Sequence, residues 1–210
     1  SGVTIIQHGN RVAANGDIRL EPSPGQWSPV PAGGENRPDI QGNMISKTLW
    51  YPDSSRNAKG FNPIYYPDLK LVYDVHIRAL ENSSFKIVVD IREPLPDEWV
   101  DKAGFNLELF PGDLFGKSFI MDGKPGMFPL QPTGPMKGSG KEFPGMPLAE
   151  GKRLVIAPEN DLQRMVITSL GEPLELIDGR MNHNNGWYIV RSSIPAGATK
   201  HAVEWIITPN

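Results

Sequence analysis

The chain has 210 residues, enough for one large domain that buries roughly 70% of its unfolded surface, so its core needs no metal or disulfide staple. It contains no cysteine, which excludes disulfides, thiolate metal sites and cysteine nucleophiles but not an exported protein. Its 21 basic and 24 acidic residues are interspersed and give a net charge of −3, so no electrostatic footprint for nucleic acid or an anionic membrane is present, and no apolar run approaches the roughly 18 residues that span a bilayer.

From the start, Ser1-Gly2 leads into a strand-like segment with no signal-peptide pattern, as expected of a chain whose leader has been removed. Residues 3–8 and 17–21 read as strands, and 22–43 as a long loop. A strand follows at 44–51. Alternation is strictest in 69–78, where Leu69, Leu71, Tyr73, Val75 and Ile77 share one face and Lys70, Asp74, His76 and Arg78 the other. Residues 85–92 repeat the pattern after the turn Glu81-Asn82-Ser83-Ser84, so the two segments predict a hairpin.

Residues 96–102 read as a short helix, with Pro96 early, Asp97 and Glu98 in the first turn and Gly104 beyond the end. A strand at 105–110 precedes a second long loop, 110–151, broken by Pro125, Pro129, Pro132, Pro135, Pro144 and Pro147. Strands are predicted again at 153–157, 164–168, 174–177, 187–191 and 202–208. The 22 glycines and 21 prolines are spread between these segments and punctuate them. Many short strands and one small helix predict a single all-β domain, an antiparallel β-sandwich of jelly-roll or larger two-sheet topology. Long loops in such a domain are commonly functional.

Catalytic signatures are weak. Gly112 to Ser118 ends in the Gly-Lys-Ser of a phosphate loop, but its glycine spacing is one residue short and no βαβ unit surrounds it. His8, His76, His183 and His201 have no metal-ligand spacing, and no Gly-x-Ser-x-Gly elbow activates a serine. Glu108, Asp113, Asp122 and Asp178 are the acids available for general acid and base work on a sugar, which needs two carboxyl groups brought together by the fold. Glu108 alternates with Phe105, Leu107 and Leu109 and belongs on the outer or ligand-facing side of its strand.

Aromatic residues beside proline turns are better placed for binding. Trp27 follows Pro24-Gly25-Gln26, Trp50-Tyr51 precede Pro52-Asp53, and Tyr65-Tyr66 precede Pro67-Asp68. Such rings stack on the C–H face of a pyranose, or else cap the ends of the sandwich as core. Between the turn dipeptides Asp178-Gly179 and Asn185-Gly186, Arg180, His183 and Asn184 are presented as partners for hydroxyl groups, or else shape a long hairpin. Trp187 and Trp205 fall in strands and are expected in the core or between sheets. Asp53-Ser54-Ser55 with Asn57, and Asp178 with Asn182 and Asn184, carry the oxygen atoms of a structural calcium site without EF-hand spacing.

Gly104-Phe105-Asn106-Leu107-Glu108-Leu109-Phe110-Pro111-Gly112, Leu114-Phe115-Gly116-Lys117-Ser118, Met121-Asp122-Gly123, Asp178-Gly179-Arg180, His183-Asn184-Asn185-Gly186-Trp187 and the ending from Glu204-Trp205 to Pro209-Asn210 form a pattern that runs over nearly the whole chain. Trp27 with its neighbours and Tyr51-Pro52-Asp53 belong to it too. The pattern resembles the N-terminal β-rich region of bacterial enzymes of glycoside hydrolase family 9, cellulase or endoglucanase-like. That resemblance implies an excised N-terminal module of an exported polysaccharide-degrading enzyme, extracytoplasmic in location. The partners it implies are a polysaccharide or oligosaccharide and a downstream catalytic (α/α) barrel of the same chain. The aspartate-bearing catalytic motifs of the family are not in this sequence, so the resemblance carries no hydrolase activity to it. The functional expectation is a non-catalytic carbohydrate-binding or accessory module with Trp27, Trp50, Tyr51, Tyr65, Tyr66, Arg180, His183 and Asn184 in contact with sugar. The alternatives are a domain that packs on the catalytic barrel without binding sugar, and a self-contained glycosidase or lyase.

Overall fold

Alternation dictates the strand that anchors the architecture. In 71–76, Leu71, Tyr73 and Val75 are buried while Asp74 and His76 lie half-buried on the opposite face. The computed structural model describes residues 2–20, 31–51, 69–131, 147–181 and 186–210. Among these the strands are β1 (Val3–Gln7), β2 (Asn10–Leu20), β3 (Ala32–Gly33), β4 (Arg37–Asp39), β5 (Met44–Trp50), β6 (Val72–Ala79), β7 (Phe85–Ile91) and β8 (Ala103–Leu109). They continue with β9 (Ser118–Met121), β10 (Lys124–Met127), β11 (Ala149–Gly151), β12 (Arg153–Ile156), β13 (Met165–Ser169), β14 (Leu174–Asp178), β15 (Tyr188–Ser193) and β16 (Val203–Pro209).

All pair antiparallel, in two sheets that form the predicted all-β sandwich. The first sheet runs β1-β2-β8-β15-β14-β11, and the second β10-β9-β12-β13-β16-β7-β6-β5-β3 with β4 also beside β5. Phe105, Leu107, Tyr188 and Val190 of the first sheet face Tyr73, Ile87, Trp205 and Ile207 of the second across a shared core, all fully buried. Phe105 and Trp205 meet edge to face with ring centroids 5.0 Å apart. The Trp205 indole, expected between sheets, donates from Nε1 to Ser192 Oγ at 3.0 Å, which ties the two sheets together and satisfies a buried donor.

Several sequence expectations are corrected. The helix expected at 96–102 is one 3-10 turn, Asp97–Trp99, that buries Trp99; Asp101 then takes a positive φ and ends it. The one α-helical turn among the described residues is α1 (Pro111–Leu114), started by Pro111 at its first position and overlapping the beginning of the incomplete phosphate-loop motif. Both long loops contain strands: β3 and β4 in the first, β9, β10 and β11 in the second. These are short and carry proline at an edge, Pro38 in β4 and Pro125 in β10, where a missing N–H does not interrupt a central ladder. Strand β2 begins seven residues before the expected 17–21 segment, because Asn15-Gly16 is a bulge inside it rather than a boundary. Opposite β8, the register passes from Ala14–Glu108 to Asp17–Asn106, with Asn15 at positive φ. Gly16 is required there, since a Cβ would stand 2.7 Å from Val3 Cβ.

Candidate functional site on the outer sheet faces

Period-two alternation puts Ser46, Thr48 and Trp50 of β5 on the outer face of the second sheet, beside Val72, Asp74 and His76 of β6 and Asp90 of β7. Thr48 pairs across the strands with Asp74, and Asp74 with Asp90. Trp50 pairs with Val72, whose carbonyl accepts from Arg92 N at 3.1 Å, so Trp50, Val72 and Arg92 form the next row. Trp50 is 38% exposed, and it crosses above Gly34, where a Cβ would stand 3.8 Å from Trp50 Cζ3. Because Gly34 has no side chain, nothing from that position covers the ring.

Two arginines converge on Asp74, in the row next to that of Trp50. Thr48 Oγ1 donates to Asp74 Oδ1 at 2.5 Å and accepts from Arg37 Nη1 at 2.9 Å. Arg37 Nη2 lies 3.5 Å from the same Asp74 oxygen, and Arg92 donates to both carboxylate oxygens at 3.2 and 3.3 Å. Partial burial works against the Asp74 carboxylate, but hydrogen bonds from Arg92 and Thr48 and the charges of both arginines outweigh it and hold its pKa below the usual range.

Next to this group, Ser46 Oγ is 2.6 Å from His76 Nδ1, and His76 Nε2 is 3.1 Å from Asp90 Oδ2. Serine, histidine and aspartate thus stand in the order of an acyl-transfer relay. Ser46, however, is buried and flanked by β4 and β6, paired with Arg37 on one side and His76 on the other. The backbone amides around it serve the ladders rather than an oxyanion hole, and Asp90 Oδ1 is taken by the His201 backbone amide at 2.8 Å. The chain of bonds orients side chains on the sheet face.

The outer face of the first sheet is different in kind. Asp17, Asn106, Arg191 and Glu175 form one cross-strand row over β2, β8, β15 and β14. Asp17, Asn106, Glu108 and Arg191 are all buried, so this face is covered, and β8 is buried at every position. Arg19 Nε pairs with Asp17 Oδ1 at 2.8 Å, and its Nη2 lies 3.6 Å from Glu108 Oε1. The bulge turns Asn15 so that its amide donates to Glu108 Oε2 at 2.6 Å. Burial is the largest influence on Asp17; it overcomes the attraction of Arg19, with Glu108 adding repulsion, and pushes the carboxyl up to about 6. Glu108 therefore lies on the outer side, as its alternation implied, but beneath cover and engaged by Asn15.

Of the residues expected to contact sugar, Trp27, Tyr65, Tyr66, His183 and Asn184 lie outside the described residues. Tyr51 follows Trp50 and so faces inward: it is buried, tilted against Tyr73 with centroids 6.5 Å apart, and its hydroxyl donates to the Ile18 carbonyl. It is a core residue with no free face for a ligand. Arg180 is likewise turned into the protein. It donates from Nε and Nη2 to the two oxygens of the fully buried Asp178, at 2.9 and 2.8 Å, and to the carbonyls of Leu130 and Pro129, each at 2.7 Å. Its guanidinium also lies over the rings of Phe115 and Tyr188, 5.2 Å from each centroid. The residue clasps the segment after β10 to the end of β14 instead of reaching for a hydroxyl.

The remaining acids do not converge. Asp122, at positive φ in the β9–β10 turn, accepts from the amides of Lys152 and Arg153; Asp113 is exposed in α1; Asp178 is held by Arg180. The proposed calcium ligands Asp53, Ser54, Ser55, Asn57, Asn182 and Asn184 lie outside the described residues, and among the described residues no three His, Asp or Glu side chains group as a metal site. Arg37, Thr48, Asp74 and Arg92 carried a faint sequence signal, since alternation puts Thr48 and Asp74 on polar faces, but only register brings them together.

Comparison with protein-family models finds none that matches, and neither the curated proteins nor the solved structures give a match to this chain.

Proposed function

We propose that the chain is a non-catalytic carbohydrate-binding module of a secreted polysaccharide-degrading glycoside hydrolase, and that it binds polysaccharide on the outer face of the second sheet. The observation that carries this reading is the half-exposed indole of Trp50, set beside a preorganised set of donors and acceptors in Arg37, Thr48, Asp74 and Arg92. An aromatic plane with convergent polar groups at its edge suits a sugar ring, whose faces are apolar and whose rim is polar. The family resemblance of the sequence points the same way.

Affinity electrophoresis of the chain against soluble glucans, xyloglucan, mannans and xylans, with and without a chelator, tests it. Retardation by at least one polymer is expected, and Trp50→Ala is expected to weaken it by about tenfold or more with an unchanged melting temperature. Equal retardation of the variant, or none with any polymer, refutes the assignment.

A second reading, a domain that packs on a catalytic barrel, is favoured by a different observation. Phe115, Met127 and Leu130 are exposed around the Arg180 clasp, at residues the sugar-binding face does not use.

A further inference from the structure

The Trp50 face presents its cations more openly than recognition of neutral hydroxyl groups requires. Two guanidinium groups, Arg37 and Arg92, share the single carboxylate of Asp74. Their side chains are 52% and 57% exposed, whereas that of Asp74 is 16% exposed. The anion is enclosed and the cations face outward. Asp74 accepts from Thr48, Arg37 and Arg92 and so has its lone pairs largely occupied. Each guanidinium has five N–H groups, of which Arg37 gives one to Thr48 and one to Asp74, and Arg92 gives two to Asp74. A second carboxylate on this face, Asp90, is 29% exposed and is turned toward His76 and the His201 amide, so Arg37 and Arg92 remain more exposed than Asp74, His76 or Asp90.

We propose that the polymer bound on this face is acidic, a uronate-bearing polysaccharide, with a sugar ring on Trp50 and its carboxylate, or that of the adjoining sugar, received by Arg92 and Arg37. This rests on the carbohydrate-binding reading above. Planar guanidinium groups match carboxylates in bidentate geometry, and Asp74 serves as a positioning residue that holds both of them before a ligand arrives. Trp50 and Arg92 lie in one cross-strand row two strands apart, about 10 Å at the usual strand spacing, which is within the span of neighbouring sugars on one chain. The charge of the whole chain, −3, does not supply this attraction; it is local to the pair.

The test compares three polymers by affinity electrophoresis on the full chain: polygalacturonate, the same polymer after carboxyl reduction, and hydroxyethylcellulose. The expected result is strongest retardation by polygalacturonate, weakening as salt rises, and about a tenfold loss on carboxyl reduction. Arg92→Gln and Arg37→Gln should each lower retardation by polygalacturonate, while Arg92→Lys, which keeps charge but not the planar fork, should restore it only in part. Should either variant melt early, the comparison of native and carboxyl-reduced polymer on the unaltered protein decides the matter alone. Retardation equal or greater with the neutral polymers overturns the acidic preference and leaves the binding module standing. No retardation by any of the three overturns the acidic assignment, and it overturns the binding module as well only if the glucans, xyloglucan, mannans and xylans also fail to retard the chain.

Discussion

Asp17 gives a stability prediction with a sign opposite to that of most carboxylates. Its pKa is 3.8 when exposed and about 6 in the folded protein, because burial of the charged form outweighs the ion pair with Arg19. Below pH 3.8 both states carry the proton and Asp17 contributes no pH dependence. Between pH 3.8 and about 6 the unfolded chain has lost that proton while the folded chain keeps it, so unfolding releases a proton and stability falls as pH rises. The shift of about 2 units corresponds to about 3 kcal/mol of stability lost across that window, all of it gone above pH 6 or so.

Asp17→Asn removes the titration and retains the shape. Arg19 keeps Glu108, 3.6 Å from its Nη2, as a counter-charge. Urea denaturation followed by tryptophan fluorescence, at half-unit steps from pH 4 to 7, gives the difference in unfolding free energy between wild type and variant. That difference isolates Asp17 together with its coupling to Glu108, since carboxylates remote from the pair titrate equally in both proteins. Wild type should lose about 3 kcal/mol relative to the variant over this range. Parallel curves, or a wild type that gains on the variant with rising pH, refute the reasoning: the Arg19 ion pair would then dominate burial. A carboxyl carbon titration by NMR with a midpoint at or below 3.8 for Asp17 would refute it equally.

Arg180→Ala should destabilise the fold by about 3–5 kcal/mol by chemical denaturation, because it strands the buried Asp178 carboxylate, and it should leave polysaccharide retardation by the folded protein unchanged. A variant that melts normally but binds less would return Arg180 to the ligand. Gly34→Leu introduces a side chain over the Trp50 ring at a position whose Cβ has room, so it should reduce polysaccharide retardation several-fold with little change in melting temperature; undiminished binding would show that the ligand does not use that ring face.

The long strands were legible because alternation over seven or eight residues is hard to imitate by chance: 69–78 and 85–92 appear as β6 and β7 with the predicted faces. The short edge strands were not, since two to four residues containing proline or glycine carry no period. For the site, Trp50 and Tyr51 show what was missing. Neighbours in a strand point to opposite faces, so only one of the pair can meet a ligand, and the pairing of β5 with β6 decides which: Leu49 lies opposite Tyr73 on the inner face, leaving Trp50 outside. Arg180 turns inward for another reason. A turn beginning Asp-Gly usually faces water, but Asp178 ends β14 on the core side, and its buried carboxylate draws the guanidinium in after it.

The two outer faces use the same acid–arginine chemistry to opposite ends, and exposure is what separates them. At Asp74 the guanidinium groups stand in water, cost little to keep charged, and hold the carboxylate ionised below its ordinary pKa. That contribution to stability is present above pH 3.8 and is lost only as pH falls through the depressed value. At Asp17 the pair is covered, desolvation dominates, and the carboxyl favours its proton up to about pH 6. In weak acid Asp17 therefore changes its protonation while Asp74 and the two arginines bound to it keep their charges. A polar row under cover, reinforced by a bulge that aims Asn15 at Glu108, is arranged to hold the strands in one register. A polar row in the open, with its carboxylate spent on holding two arginines outward next to a partly exposed indole, has its unused donors available to a ligand.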